Sequence, residues 1–368
     1  MLVLPPLSLY IHYPWCVKKC PYCDFNSHEN GSKSGYIKEL LNDLDADLSY
    51  IQGRSIRSIF IGGGTPSLMS EQDLSMLFSG LRQKLNFDQN IEITLETNPG
   101  TFEIEKFKAF KKIGINRLSI GVQSFNDQNL QALGRIHSAK EAIEACMQAS
   151  KIFDNFNIDL MYALQAQTIE KCLSDLQQAL DLKPTHISFY QLTIEPNTLF
   201  AKFPPVLPKE DDIFSMGEAG INLLEQQGFF RYEVSAFGKI PSKHNLNYWQ
   251  FGDYIGIGAG AHGKITLAKE QKIIRTLKSK APKDYLNACQ KTIEPLNNPS
   301  FEFMLNALRL KKGFNESLFV ERSGVSIKAI RNKLNHAESL GLLSHHNSHI
   351  QPTNKGFDFL NDLQEIFL

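Results

Sequence analysis

Between residues 8 and 194 short apolar runs alternate with longer amphipathic stretches. The runs at 8–13, 58–61, 91–96, 117–123, 157–162 and 186–192 are rich in Ile, Leu, Phe and Tyr and read as strands. Helical periodicity fills the intervals near 34–52, 70–84, 103–112, 138–150 and 168–182. Alternation at this spacing predicts βαβ units, a parallel sheet and right-handed crossovers. Six units fall short of the eight that close a full barrel. The predicted architecture over residues 1–195 is therefore α/β, a partial, open (β/α)6 barrel.

Residues 196–296 are less regular, with the proline-rich stretch Phe203-Pro204-Pro205-Val206-Leu207-Pro208, a helix near 211–228 and a strand at 232–237. They read as a connecting lobe. From 297 to 368, helical patterns at 300–311, 315–322 and 326–339 precede apolar runs at 342–344 and 349–351 and a last helix near 354–366. Three helices and a β-wing predict a small winged-helix-like module. Its second and third helices carry only Arg322, Lys328, Arg331 and Lys333 as basic residues. That is ordinary surface density, so a structural or docking role is expected over DNA binding.

Composition narrows the classes. The 368 residues are 42% hydrophobic and 21% charged, and no run approaches the length of a membrane span. Lys+Arg 39 against Asp+Glu 39 leaves no global field to steer the chain to nucleic acid. The most basic stretch, from Lys269 to Lys283, reads as solvated surface. The N-terminus has no basic leader region and carries Pro5-Pro6, so a cytoplasmic protein is expected. Six cysteines in such a chain point to metal, catalysis or burial before disulfides.

Cys146, Cys172 and Cys289 are scattered and read as small buried hydrophobes. Cys16-x3-Cys20-x2-Cys23 is a constellation, placed in the loop directly after the first strand. Three thiolates on one loop suit three irons of a 4Fe-4S cube and leave the fourth open to a non-protein ligand. The alternative is structural zinc, which needs a fourth donor such as His12 or His28. Polar side chains close several apolar strands: Glu96 the third and Gln123 the fourth. Arg135 is suited to a carboxylate, and Asp159 to a ribose. Gly62-Gly63-Gly64-Thr65-Pro66 follows the second strand, where missing side chains permit close backbone approach to a ligand or simply a turn. In His244-Asn245-Leu246-Asn247-Tyr248-Trp249, a neutral imidazole stands beside two aromatic faces. It reads either as a ligand to haem iron or as a histidine packed in an aromatic cluster.

The cysteine spacing resembles the signature of radical S-adenosylmethionine (SAM) enzymes. The wider text, from Tyr10-Ile-His-Tyr-Pro-Trp-Cys16 through Cys23-Asp24-Phe25-Asn26-Ser27, is similar to the oxygen-independent coproporphyrinogen oxidase group, in particular its haem-chaperone branch. The resemblance covers nearly the whole chain. It implies Cys16, Cys20 and Cys23 on a 4Fe-4S cluster, with SAM on the open iron. It further implies Tyr10, Tyr22, Gly63, Gly64, Thr65, Glu96, Gln123, Arg135, Asp159 and Thr193 as SAM contacts. His244 becomes the haem ligand, with His262 a second candidate.

Two departures matter. After the fifth strand the family reads Asp-Leu-x-Tyr-Gly-Leu-Pro-Gly-Gln-Thr, whereas here Ala163, Gln165 and Ala166 replace both glycines and the proline. If the loop needs positive φ there, each alanine costs about 1 kcal/mol. Members that oxidise porphyrinogen carry a fourth cysteine two positions past the third, where this chain has Phe25, and a longer segment before the first cysteine. The resemblance thus implies a haem chaperone lacking coproporphyrinogen oxidase activity, delivering haem to acceptor apoproteins such as respiratory haem proteins. The alternative is a radical SAM oxidoreductase acting on a tetrapyrrole. A homodimer and peripheral membrane association stay open.

Overall fold

The computed structural model describes residues 1–101 and 103–368. Six parallel strands form its centre: β1 (Leu7–Tyr13), β2 (Ile56–Gly63), β3 (Phe87–Thr97), β4 (Arg117–Gln123), β5 (Phe156–Tyr162) and β6 (His186–Gln191), adjacent in that order. These are the six strands expected from the apolar runs. Their outward side chains, among them Leu9, Ile59, Ile61, Leu95, Leu118, Ile120, Ile158 and Ile187, are buried against the crossover helices. Helices Glu71–Lys84 and Ala139–Ile152 each start with a capping box, Ser70 with Asp73 and Ser138 with Glu141, which explains their sharp N-termini.

The opposite face of the same strands is polar. Ser8 and Ser58 meet at 2.7 Å, Asn157 donates to Ser119 at 2.8 Å, and His186 Nδ1 lies 2.7 Å from Asn157 Oδ1. A partial barrel that buries hydrogen-bonded polar side chains on its concave face has a lumen built to receive polar groups.

The stretch expected as a connecting lobe extends this sheet. β7 (Phe230–Arg231) and β8 (Ala236–Gly238) join antiparallel beyond β6. At the other edge β9 (Asp253–Ile257) runs parallel to β1 and is followed by the antiparallel β10 (His262–Leu267), β11 (Lys272–Lys278) and β12 (Lys291–Pro295). The twelve strands make one mixed sheet. Buried ion pairs disguised these strands in the sequence. Asp253 is fully buried between Arg54 (2.7 Å) and Lys264 (3.0 Å), and Lys278 is buried against Asp43 and, at 2.7 Å, Asp47. The run from Lys269 to Lys283 is therefore not uniformly solvated, since Lys278 serves the core.

The C-terminal residues form helices Pro299–Ala307, Glu316–Ser323 and Arg331–Ser339 on a three-stranded sheet of Phe314–Asn315, His349–Pro352 and Leu343–His346. Their core of Phe303, Phe319, Leu334 and Ile350 continues into Leu2, Phe251 and Ile273, which docks the module on the sheet. The expected last helix is broken at Phe359. Among the described residues no helix is long and apolar enough to cross a membrane.

Candidate functional site

The chain leaves β1 at Tyr13 and folds the cysteine loop back on itself. Cys16 N–H donates to the His28 carbonyl (2.9 Å), His28 N–H to Pro14 (2.7 Å) and Cys23 N–H to Cys20 (3.1 Å). Distant segments clamp it: Phe200 N–H donates to the Pro21 carbonyl (3.0 Å), and the Asn26 side-chain amide to the carbonyls of Ala259 and Lys280, both at 2.9 Å. Cys16, Cys20 and Cys23 are free, half-buried and line one cavity of about 460 Å³ at the carboxyl ends of the strands. Burial pushes the Cys16 and Cys23 thiols up. His12, weighed as a zinc donor, has both ring nitrogens engaged, Nδ1 with the Tyr10 hydroxyl (2.9 Å) and Nε2 with the Asn26 carbonyl (2.9 Å).

Tyr22, Gly63, Gly64, Thr65, Glu96, Gln123, Arg135, Asp159 and Thr193 line the same cavity. Glu96 accepts from Gly63 N–H at 3.1 Å; burial, and then the charge of Asp159, raise its carboxyl to about 8. Asp159 lies mid-strand, holding Ser119 (3.2 Å) and Asn157 (2.7 Å), and burial raises it as well. Arg135 donates to the Gly121 carbonyl at 2.6 Å and toward Cys20 Sγ at 3.6 Å, while its buried Nε has no partner among the described residues. Gln123 closes β4 with φ 71°, at an irregularity in the β4–β5 register, and accepts from the Tyr190 hydroxyl at 2.7 Å. Such left-handed backbone away from glycine is strained and concentrates at functional sites.

The glycine run has a packing cause. A Cβ on Gly63 would sit 2.3 Å from the His12 ring and one on Gly64 2.5 Å from the Trp15 carbonyl, so these glycines let β2 press against the cysteine loop. Both positions where alanine replaces the family's glycine have positive φ, 62° at Ala163 and 54° at Ala166. Ser119, Ser188 and Tyr190 also line the cavity and escaped the sequence reading. Their signal was the period-two alternation with buried Leu118, Ile187 and Phe189.

Tyr10 and His244 lie elsewhere, in a second cavity of about 720 Å³ shared with Phe60, Tyr248, Trp249, Tyr254 and His262. Asp24, Phe25, Gly63 and Glu96 line both cavities. Helix Lys243–Trp249 carries His244 into the concave face of the sheet. Its first turn is tied to Glu92, which accepts from Ser242 Oγ (3.0 Å), Lys243 N–H (3.1 Å) and His244 N–H (3.1 Å). The His244 ring stacks on Phe60 (4.8 Å) and leans on Tyr248 (5.0 Å), with Nδ1 3.3 Å from Ser58 Oγ. Burial, and then the charge of Arg117, lower its pKa to about 3. The imidazole is therefore neutral at physiological pH, the form that ligates a metal. His244 thus combines both sequence readings, packed among aromatic rings and facing a cavity.

The profile of the Radical SAM superfamily matches residues 10–179, and that of the HemN C-terminal domain residues 295–359. The chain is 47% identical to the protein named Heme chaperone HemW of Escherichia coli (strain K12), over 100% of both chains. It is 48% identical to the Haemophilus influenzae protein of the same name, over 99% of this chain and 98% of that one. Among solved structures, coproporphyrinogen III oxidase (HemN) from Escherichia coli superposes with a TM-score of 0.82 at 22% identity, covering 99% of this chain and 90% of that one. At that identity the likeness is one of fold.

Proposed function

This chain belongs to the HemW heme chaperone family within the radical SAM superfamily, and from that premise we propose that it binds haem in the His244 cavity and passes it to an acceptor apo-haem protein in the cytoplasm. The observation that carries the reading is a cavity of about 720 Å³ whose wall holds a neutral histidine beside the rings of Tyr10, Phe60, Tyr248, Trp249 and Tyr254. A flat, apolar macrocycle suits stacked aromatic walls, and a neutral imidazole suits its iron.

Superfamily membership implies a 4Fe-4S cluster and SAM. The donor set fits: three free thiols line one cavity, and Arg135 reaches toward Cys20 with an unpartnered Nε. Cys16, Cys20 and Cys23 would hold the cluster, which leaves one iron for SAM and supplies one-electron chemistry. Glu96, Asp159 and Arg135 would orient SAM. The protein's own part in handover is to keep haem accessible. His262, exposed at the start of β10, lines the same cavity and offers a second imidazole.

Haem titration of the wild type and His244→Ala tests the reading. We expect a Soret shift in the wild type that is lost in the variant, and transfer to respiratory apo-haem proteins from the wild type alone. An unchanged Soret band in His244→Ala would refute the ligand assignment.

A second reading, an oxidoreductase acting on a tetrapyrrole, draws on the polar lining of the first cavity. Phe25, 58% exposed where the oxidising enzymes carry a cysteine, speaks against it. Anaerobic incubation of cluster-loaded protein with SAM, reductant and coproporphyrinogen III separates the two. Protoporphyrinogen above a cluster-free control would establish the oxidase, and its absence is expected.

A further inference from the structure

The floor of the partial barrel holds a buried cation that the proposed function leaves unused. Arg117 opens β4 and is 3% exposed. Among the described residues its guanidinium makes no hydrogen bond and no ion pair. Its register neighbour on β3 is Thr94, fully buried, whose hydroxyl also lacks a partner. Two adjacent side chains, one cationic and one a neutral donor, thus lie buried without a hydrogen-bond partner among the described residues, and Asp159 acts on the guanidinium only through its charge. A buried donor left without a hydrogen-bond partner is costly, and each such group calls for an explanation, of which a bound ligand is one.

The carboxylates nearby are committed. Glu92 accepts three hydrogen bonds from Ser242, Lys243 and His244. Asp159 is held by Ser119 and Asn157. The place of the pair relative to the cavities follows from strand register. Ser119 and Glu96, each two residues further along the same faces, line the first cavity, which puts Arg117 and Thr94 about 6.6 Å deeper. On its other side Thr94 pairs with Phe60, whose ring stacks on His244 at 4.8 Å. The unsatisfied donors therefore lie one strand beyond the ring that supports the proposed haem ligand.

We propose that Arg117 and Thr94 form a carboxylate-binding subsite in the barrel floor. A guanidinium presents parallel N–H donors matched to two carboxylate oxygens, and the threonine hydroxyl adds a third donor. The carboxylate comes either from a propionate of the tetrapyrrole, which rests on the haem reading above, or from a free small carboxylate.

Spectral titration with haem and with haem dimethyl ester, which lacks free carboxylates, tests the first source in wild type, Arg117→Met and Thr94→Val. Arg117→Met is expected to fold about as well as the wild type, because it replaces a buried guanidinium that makes no hydrogen bond with an apolar side chain of similar length. Wild type should prefer haem over the ester by about tenfold; Arg117→Met should bind both equally, and Thr94→Val should fall between. An acetate titration at constant ionic strength, read as the thermal unfolding midpoint, tests the second source. Stabilisation of wild type but not of Arg117→Met, without discrimination between haem and ester, assigns the site to a free carboxylate. If neither tetrapyrrole binds wild type the haem reading fails on its own, and the acetate arm alone decides the subsite. No acetate effect, combined with equal discrimination in wild type and Arg117→Met or with no tetrapyrrole binding, overturns the proposal.

Discussion

Replacing Ala166 by Gly is expected to stabilise the protein by about 0.5–1 kcal/mol, whereas the same change at Ala163 should be nearly neutral. Ala166 has φ 54° and is exposed, at the third position of a turn closed by Gln167 N–H to the Leu164 carbonyl (3.0 Å) and by Leu164 N–H to Gln167 Oε1 (3.1 Å). Left-handed backbone costs an alanine about 1–2 kcal/mol, and the greater freedom of glycine in the unfolded chain takes back about 0.5–1 kcal/mol. Ala163 has φ 62° but is fully buried, so its glycine variant also loses the burial of one methyl, about 0.8 kcal/mol. The two sites share their strain and differ in that methyl. Urea unfolding followed by tryptophan fluorescence reads the global transition, because Trp15 is buried against Tyr13 and Tyr36 and Trp249 ends the helix that carries His244. With a slope of about 3 kcal/mol/M the midpoint of Ala166→Gly should rise by about 0.2–0.3 M. Ala166→Val, β-branched in the same backbone, should lower it. An Ala166→Gly midpoint at or below wild type, or a larger gain at Ala163, would refute the assignment of strain.

Further outcomes follow from the same structure. Cys20→Ser should abolish iron uptake on cluster reconstitution, while Cys289→Ser, on the far edge of the sheet, should keep it; iron and sulfide analysis decides. Glu96→Gln should remove a pH dependence of stability. A carboxyl raised from 4.5 to about 8 in the fold stabilises fully below about pH 4.5, and that contribution is lost as pH rises through 8. The stability of wild type relative to Glu96→Gln should thus fall by about 1.4 kcal/mol per pH unit between pH 5 and 8 and level off above 9, as read by denaturant melts across that range. Phe303→Ala should cost about 3–5 kcal/mol, because Phe303 is fully buried with edge contacts to Phe251, Phe314 and Phe319. Denaturation followed by circular dichroism checks it.

The predicted strands of the partial barrel and the observed ones agree to within a few residues, because each is a short apolar run whose outward side chains meet a crossover helix close in sequence. The cysteine loop was legible for a similar reason, since its chemistry lies within eight residues. Residues at strand ends, such as Glu96 and Gln123, were legible because a parallel sheet brings carboxyl ends together whatever its loops do. The division of the site into two cavities was not. Tyr10 lines only the second cavity whereas Glu96, two strands away, lines both, and the second cavity is completed by helix Lys243–Trp249, tied to Glu92 some 150 positions earlier in the chain.

By itself the sequence determined the alternation of strands and helices, the donor set on one loop and the polar ends of the strands, because those properties are local and periodic. Tertiary structure alone decided which charges are buried and what faces them. Lys278 read as solvated until Asp43 and Asp47 came to it across more than 230 residues, and β9 to β12 stayed hidden behind such pairs. Arg117 is the converse case: an arginine opening a strand reads as surface, and closure of the barrel buries it with no hydrogen-bond partner among the described residues. Electrostatic free energy depends on distance and on access to water, and neither is defined until the chain has folded.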